Sequence, residues 1–177
     1  MYRTRYTHAL VVESYGISPN VSLNYELAFL RLQSSFLTAR VGAGYVFQSQ
    51  ESNNSSGISV PIALTMNKTA NNFRKKMMNR VSNKCQAAPA KVATETFFEF
   101  GAGYSFVHYP QSTDRNYLWG IVGVRQQVVI DIPPKSRILF LKLHLTPQYY
   151  QGDIDFISLR LGGGGGIRAG ISLGASL

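Results

Sequence analysis

The three histidines and the single cysteine are the residues of this chain whose types could hold a metal ion. His8, His108 and His144 share no metal-ligand spacing, and Cys85 has no second cysteine to serve as another soft ligand. The glycine run at 162–166 lacks the Lys-Ser/Thr pair and the following helix of a phosphate-binding loop. The sequence therefore predicts no metal centre, no bound cofactor and no catalytic residue.

His108 and Ser112 come closest to a catalytic pair, because an imidazole beside a hydroxyl can activate it as a nucleophile. The segment is similar to the outer-membrane lipid A deacylases, whose serine follows the histidine by two positions on one strand face. Here Pro110 occupies that position, and Ser112 falls in a predicted loop. A lipid-modifying hydrolase is therefore an alternative hypothesis, ranked behind a non-enzymatic role.

Two related stretches define the elements that must position any site: SFLTARVGAGYVFQ at residues 35–48 and FFEFGAGYSF at residues 97–106. In both, bulky apolar residues alternate with small ones, and successive side chains of a strand point to opposite sides of a sheet. The small-residue face carries one charge, Arg40 in the first stretch and Glu99 in the second. A narrow polar face of this kind indicates a sheet whose apolar side faces outward and whose polar side faces inward.

The same alternation recurs along the chain and predicts eight strands. The predicted ranges are 7–17, 21–30, 35–48, 57–67, 95–108, 117–130, 137–150 and a last strand that ends at 177. Pro61 cannot donate to a ladder, so we expect a bulge or a confined break in pairing there. Eight strands of this length can cross a bilayer at a tilt and close on themselves. We predict an all-β fold, an eight-stranded antiparallel up-and-down transmembrane β-barrel that forms one domain over residues 1–177.

Seven charged residues fall on the inward face of this predicted barrel, and His144 falls there beside one of them. The interior of an eight-stranded barrel is just wide enough for side chains, and an unpaired charge in it would be costly. We therefore predict an interlocked network of ion pairs that fills the lumen. Its members are Glu13, Glu26, Arg40, Glu99, Arg125, Lys142 and Arg168.

The net charge of +9 is concentrated in one segment, because seven of the 18 basic residues lie at residues 68–94 with no acid among them. This uneven distribution argues against a nucleic-acid-binding surface over the whole fold. The segment is predicted to be an insertion between the fourth and fifth strands. Within it, apolar residues at a spacing of four, surrounded by bases, predict a short basic amphipathic helix that includes Phe73, Arg74, Lys75, Lys76, Met77 and Arg80.

Four motifs in this order resemble the small outer-membrane β-barrel proteins of Gram-negative bacteria, of the OmpA/OmpX kind. They are SLNYE at 22–26, TARVGAGY at 38–45, FFEFGAGYSF at 97–106 and AGISLGASL at 169–177. The resemblance implies an outer-membrane barrel with both termini in the periplasm, which would place segment 68–94 there as well. The chain departs from the family in ending at Leu177 rather than at an aromatic residue, and in the length of that connection.

We therefore expect a non-enzymatic structural or interaction component of the outer membrane, such as an accessory subunit of a larger assembly. The expected lipid partners are lipopolysaccharide outside and phospholipid inside. Segment 68–94 would contact a partner protein or lie along anionic lipid, and the alternative is a disordered insertion. A third hypothesis is a soluble lipocalin-like barrel that binds an apolar ligand, which requires Arg40, Glu99 and Arg168 to lie on the outside.

Overall fold

The structure is a computed structural model that describes residues 6–18, 20–32, 34–47, 56–71, 92–110, 114–132, 135–150 and 167–177. Each of its eight strands is antiparallel to its neighbours in the sequence, and the last strand returns to the first and closes a barrel. The strands are β1 His8–Ser14, β2 Val21–Arg31, β3 Ser35–Val46, β4 Gly57–Asn71, β5 Val92–His108, β6 Arg115–Ile132, β7 Lys135–Tyr150 and β8 Ile167–Ser176. The predicted all-β, up-and-down eight-stranded barrel is confirmed.

The barrel has two ends, which we name by their connections. The terminal end holds the start of β1, the end of β8 and the connections after β2, β4 and β6. The loop end holds the connections after β1, β3, β5 and β7. No helix that could span a membrane occurs within the ranges given above.

Alternation along the strands sorts the side chains as the sequence predicts. On β4, Ile58 and Leu64 are 59% and 60% exposed, whereas Ser59 and Thr65 beside them are buried. The same holds around the whole barrel, and each strand bears exposed large apolar side chains, among them Leu10, Leu23, Val41, Leu64, Phe100, Val122, Leu143 and Leu173. Polar and charged side chains point into the lumen, which reverses the arrangement of a water-soluble barrel.

The strands on one side of the barrel are longer than the sequence predicts. β4 continues to Asn71 and β5 begins at Val92, because Lys68 pairs with β3 and β5 and the pairing resumes at Asn71 beyond a register shift. Residues 68–71 and 92–94 therefore belong to the sheet, and assigning them to an insertion was wrong. The remainder of that segment, residues 72–91, lies outside the described residues.

The first strand is shorter than predicted, with 7 residues. It ends where Tyr15 takes a left-handed backbone conformation with φ at 55°. The chain then turns into the barrel, so that Ile17 and Ser18 are fully buried, and the Ser105 hydroxyl donates to the Ile17 carbonyl at 2.6 Å. Gly103 makes room for this turn, since a Cβ there would lie 3.1 Å from Ile17.

Pro61 interrupts the sheet on one side only. β4 pairs with β5 without a gap at Pro61, opposite Ser105, but its pairing with β3 skips from Ile62 to Ser59. The expected confined break is therefore confirmed, and it lies on the β3 side of the strand.

Candidate functional site

The lumen is packed in three layers, with charged groups held between two apolar clusters. The cluster at the terminal end consists of Tyr6, Ala9, Val11, Ala28, Phe36, Phe97, Val129, Ile138 and Phe140. The cluster at the loop end consists of Ile17, Val46, Ala63, Val107, Tyr109, Tyr117, Trp119 and Ile121. The charged layer is therefore shielded from water at both ends of the barrel, which strengthens each electrostatic interaction within it.

Glu26 is the centre of the charged layer. Its Oε1 accepts hydrogen bonds from Arg125 at 2.7 Å and from the Tyr6 hydroxyl at 2.8 Å, and its Oε2 accepts one from Lys142. The residues come from opposite walls, because Glu26 lies on β2 whereas Arg125 and Lys142 lie on β6 and β7. One carboxylate thus ties together two sides of the barrel, and both of its oxygens are satisfied.

Arg125 is fully buried in an aromatic cage. Its guanidinium carbon lies 3.9 Å from the ring centroid of Phe140, 5.1 Å from that of Tyr6 and 5.3 Å from that of Phe36. When the Gln127 amide oxygen faces it, that oxygen accepts from Nε at 2.8 Å and from a terminal nitrogen at 3.2 Å. Arginine suits this position because its planar group can stack on rings while it donates in its own plane.

A second ion pair lies closer to the loop end. Arg40 donates to Glu13 Oε2, which also accepts from Ser172 at 3.3 Å, and Glu13 Oε1 accepts from the Ile17 backbone nitrogen at 2.6 Å. Arg40 and Glu26 face each other in the β2–β3 register, yet the described ion pair of Arg40 is with Glu13 on β1. The network therefore reaches beyond neighbouring strands.

The ion pairs among the described residues include six of the seven predicted lumen residues. Glu99 is the sixth, and it accepts from Lys142 at 3.2 Å and from Thr65 at 2.9 Å. Arg168 lies apart from this layer: its guanidinium carbon is 5.3 Å from the Trp119 ring centroid, in the loop-end cluster. Six residues thus supply three acids and three bases, so that the charged layer is balanced.

Several members of the lumen were missed by reasoning from the sequence. Tyr6 precedes β1, so strand alternation could not place it inside, and its inward position is held by Arg31, which donates to its carbonyl at 3.0 Å. Gln127 was overlooked although it follows Arg125 on the same face. Parity alone would have found Gln127, whereas Tyr6 and the turn at Ile17 lie outside regular strands.

The loop end is closed by aromatic side chains over the inward turn. Trp119 donates to the Ser105 hydroxyl at 3.2 Å, and its ring is 5.7 Å from that of Tyr117. Burial raises the pKa of Tyr109 to about 12. Its phenol therefore stays uncharged until strongly alkaline pH, which suits an apolar seal.

Two predicted features lie partly or wholly outside the described residues. The basic segment with Phe73, Arg74, Lys75, Lys76, Met77 and Arg80 is one of them. For the other, His108 is described and Ser112 is not, and the His108 Nδ1 lies 2.7 Å from Asp114 Oδ1 on the exposed loop-end rim. In the part of the chain that is described, no three His, Cys, Asp or Glu side chains are grouped to hold a metal ion.

Comparisons of the chain with protein-family models, curated proteins and solved structures found no match.

Proposed function

We propose that this protein is an integral β-barrel of the outer membrane of a Gram-negative bacterium. The observation that carries the proposal is the reversed wall: exposed large apolar side chains on all eight strands, with the charged side chains inside. A continuous apolar surface of this extent is typical of contact with lipid rather than water. Support comes from exposed aromatic residues near the loop-end edge of the wall, where such barrels carry an aromatic girdle: Tyr15, Tyr45, Phe47, Tyr104 and Phe106.

The filled lumen favours a structural or interaction role over transport. Because side chains pack the charged layer and both apolar clusters, we propose a non-enzymatic component of the OmpA/OmpX-like kind, with its termini in the periplasm. Its work would be done by the connections that it displays, including the basic connection between β4 and β5 as the contact for a partner protein. The lipocalin-like alternative is disfavoured, since it needs Arg40 and Glu99 outside and both are buried inside.

The proposal is tested by expression behind an export signal, followed by membrane fractionation and gels of heated and unheated samples. We expect the chain in the outer-membrane fraction and a change in mobility on heating, because a closed barrel resists unfolding by detergent until it is heated. Recovery as a soluble monomer with one mobility would refute the membrane proposal.

A second candidate function, a lipid-modifying hydrolase, is favoured by the His108–Asp114 pair. A carboxylate bonded to one imidazole nitrogen fixes the ring and leaves the other nitrogen for proton transfer. This pair lies on the exposed rim, where a lipid headgroup would pass, and Ser112 would be the nucleophile.

The two candidates are separated by incubating the refolded barrel with lipid A and analysing the acyl chains by mass spectrometry. A non-enzymatic barrel leaves the acyl pattern unchanged, and this is the result that we expect. Loss of an acyl chain that is abolished by both Ser112→Ala and His108→Ala, with the heat-dependent mobility retained, would establish the hydrolase instead.

A further inference from the structure

The barrel topology divides the charges of the chain very unevenly between its two ends. Twelve bases and two acids lie before β1, at the terminal-end boundaries of the strands or in the connections after β2, β4 and β6. The connections after β1, β3, β5 and β7 and the strand boundaries next to them have three bases and four acids in the sequence, and the charged layer of the lumen has three of each. Counted by order in the sequence, the first group carries +10, the second −1 and the lumen layer 0, which together give the net charge of +9.

Described residues form the outer edge of this positive end. On β4 the exposed apolar series ends at Met66 and the next outward residue is Lys68. On the outer face of β7, Arg137 is the exposed residue that precedes Leu139. On β2, the exposed Arg31 follows Leu30. Arg31, Lys68 and Arg137, which we call the cationic rim, thus lie just beyond the last exposed large apolar side chain of β2, β4 and β7 toward the terminal end.

The neighbouring strands β5 and β6 have polar groups on their outer faces near this edge, and no acid is described there. On the outer face of β5 and β6, Phe98 and Val124 are followed toward the terminal end by Thr96 and Gln126, whose side chains are hydrogen-bonded at 2.5 Å. On β6 the outward residues beyond Gln126 are the half-buried Val128 and Ile130. A polar or cationic group therefore follows the exposed apolar series on β2, β4, β5 and β7, and the outer face of β6 has one polar group, Gln126, among apolar residues.

We propose that the cationic rim binds the phosphate groups of anionic phospholipids in the leaflet at the terminal end. This inference rests on the proposed membrane location. Lipid is favoured over an acidic protein by the distribution of the rim, since its cations stand on β2, β4 and β7 and so point to different sides of the barrel. One docked protein would meet a single side, whereas headgroups meet every side where the apolar wall ends.

The chemistry of the rim suits this ligand. Lysine and arginine at the edge of an apolar wall keep their stems on apolar surface while the charged group reaches the headgroups. The lumen charges balance, so they do not offset the field of the rim. One terminal nitrogen of Arg31 donates to the Tyr6 carbonyl at 3.0 Å and to Thr7 Oγ1 at 2.8 Å. Lipid contact at Arg31 is therefore linked to the position of residues 6 and 7.

The test is lipid selectivity measured by electron spin resonance with the full chain in phosphatidylcholine vesicles. Spin-labelled phosphatidylglycerol is compared with spin-labelled phosphatidylcholine, for the natural chain and for the triple variant R31Q/K68Q/R137Q. We expect the natural barrel to favour the anionic label about two- to fivefold at low salt, and the triple variant to lose at least half of that preference. The matched single changes are Lys68→Gln at the rim, which should lower the preference, and Arg115→Gln at the loop end, which should not.

The outcomes are distinguishable. Equal preference in the natural chain and the triple variant, with both inserted and heat-modifiable, would overturn the rim as the binding site, as would an acidic protein captured by the rim while the lipid preference stays unchanged. If neither label shows a motionally restricted fraction, the barrel is not in the bilayer, and the membrane proposal fails with the inference.

Discussion

Replacing Glu26 by leucine is expected to lower the free energy of unfolding by ~3–5 kcal/mol, or to prevent folding altogether. Glu26 accepts hydrogen bonds from Arg125, Lys142 and Tyr6 in a layer closed to water at both ends. Among the described ion pairs, its removal leaves Arg125 with no carboxylate and Lys142 with Glu99 alone. The cost arises from the stranded cations rather than from the lost carboxylate itself.

This expectation is measured by urea unfolding of the refolded barrel in lipid vesicles, followed by tryptophan fluorescence. The matched control is the double variant E26L/R125M, which removes both partners and keeps apolar volume in the aromatic cage of Arg125. Because Lys142 still has Glu99, the double variant should recover most of the lost stability. A double variant as unstable as Glu26→Leu alone would show that the pair does not determine the stability of the layer.

Replacing Leu64 by arginine is expected to destabilise the barrel in a bilayer by ~2–4 kcal/mol, although the side chain is 60% exposed and packs little. Leu64 lies halfway along β4 and within its exposed apolar series from Ile58 to Met66, so that in the proposed orientation its side chain lies deep in the hydrocarbon layer. In water the same change would place a charge on an exposed site and cost almost nothing.

Ile58 provides a control on the same strand and the same face, with 59% exposure. It is the second residue of β4, at the loop end, where the change to arginine should cost only ~0–1 kcal/mol. Unfolding of both variants is measured in vesicles against the natural chain. Equal effects of Leu64→Arg and Ile58→Arg on the free energy of unfolding would contradict a bilayer in which Leu64 lies deeper than Ile58.

The period-two alternation was sufficient to predict the number of strands, their order and which side chains point inward. It works here because the inward face of each strand carries few charges: in the two GAGY stretches, Arg40 or Glu99 is the one charged inward group, and the other large inward groups there, such as Phe36 and Phe97, are apolar. A charge at such a position has nowhere to go except the lumen, so its partners must be other inward charges.

The pairing inside the lumen could not be predicted, because it depends on the cross-section of the closed barrel. The register alone would pair Arg40 with Glu26, its direct neighbour, whereas Glu26 reaches across to Arg125. Tyr6 and Ile17 were missed for a related reason. Tyr6 precedes β1 and Ile17 follows it, so neither takes part in its regular pairing. They lie inside because the lumen has space for them on either side of the charged layer.

The separation of these partners along the chain affects how the barrel must form. Glu26 is 99 residues from Arg125 and 116 from Lys142, and Glu13 is 159 from Ser172. Bringing such distant segments together costs loop-closure entropy before any ion pair can form and offset that cost. This order of events slows folding. A partly formed sheet would expose the lumen acids and bases to lipid before most of their partners are in place. Assembly should therefore be late and concerted, with the seam between β1 and β8 closing in the same step that neutralises the interior.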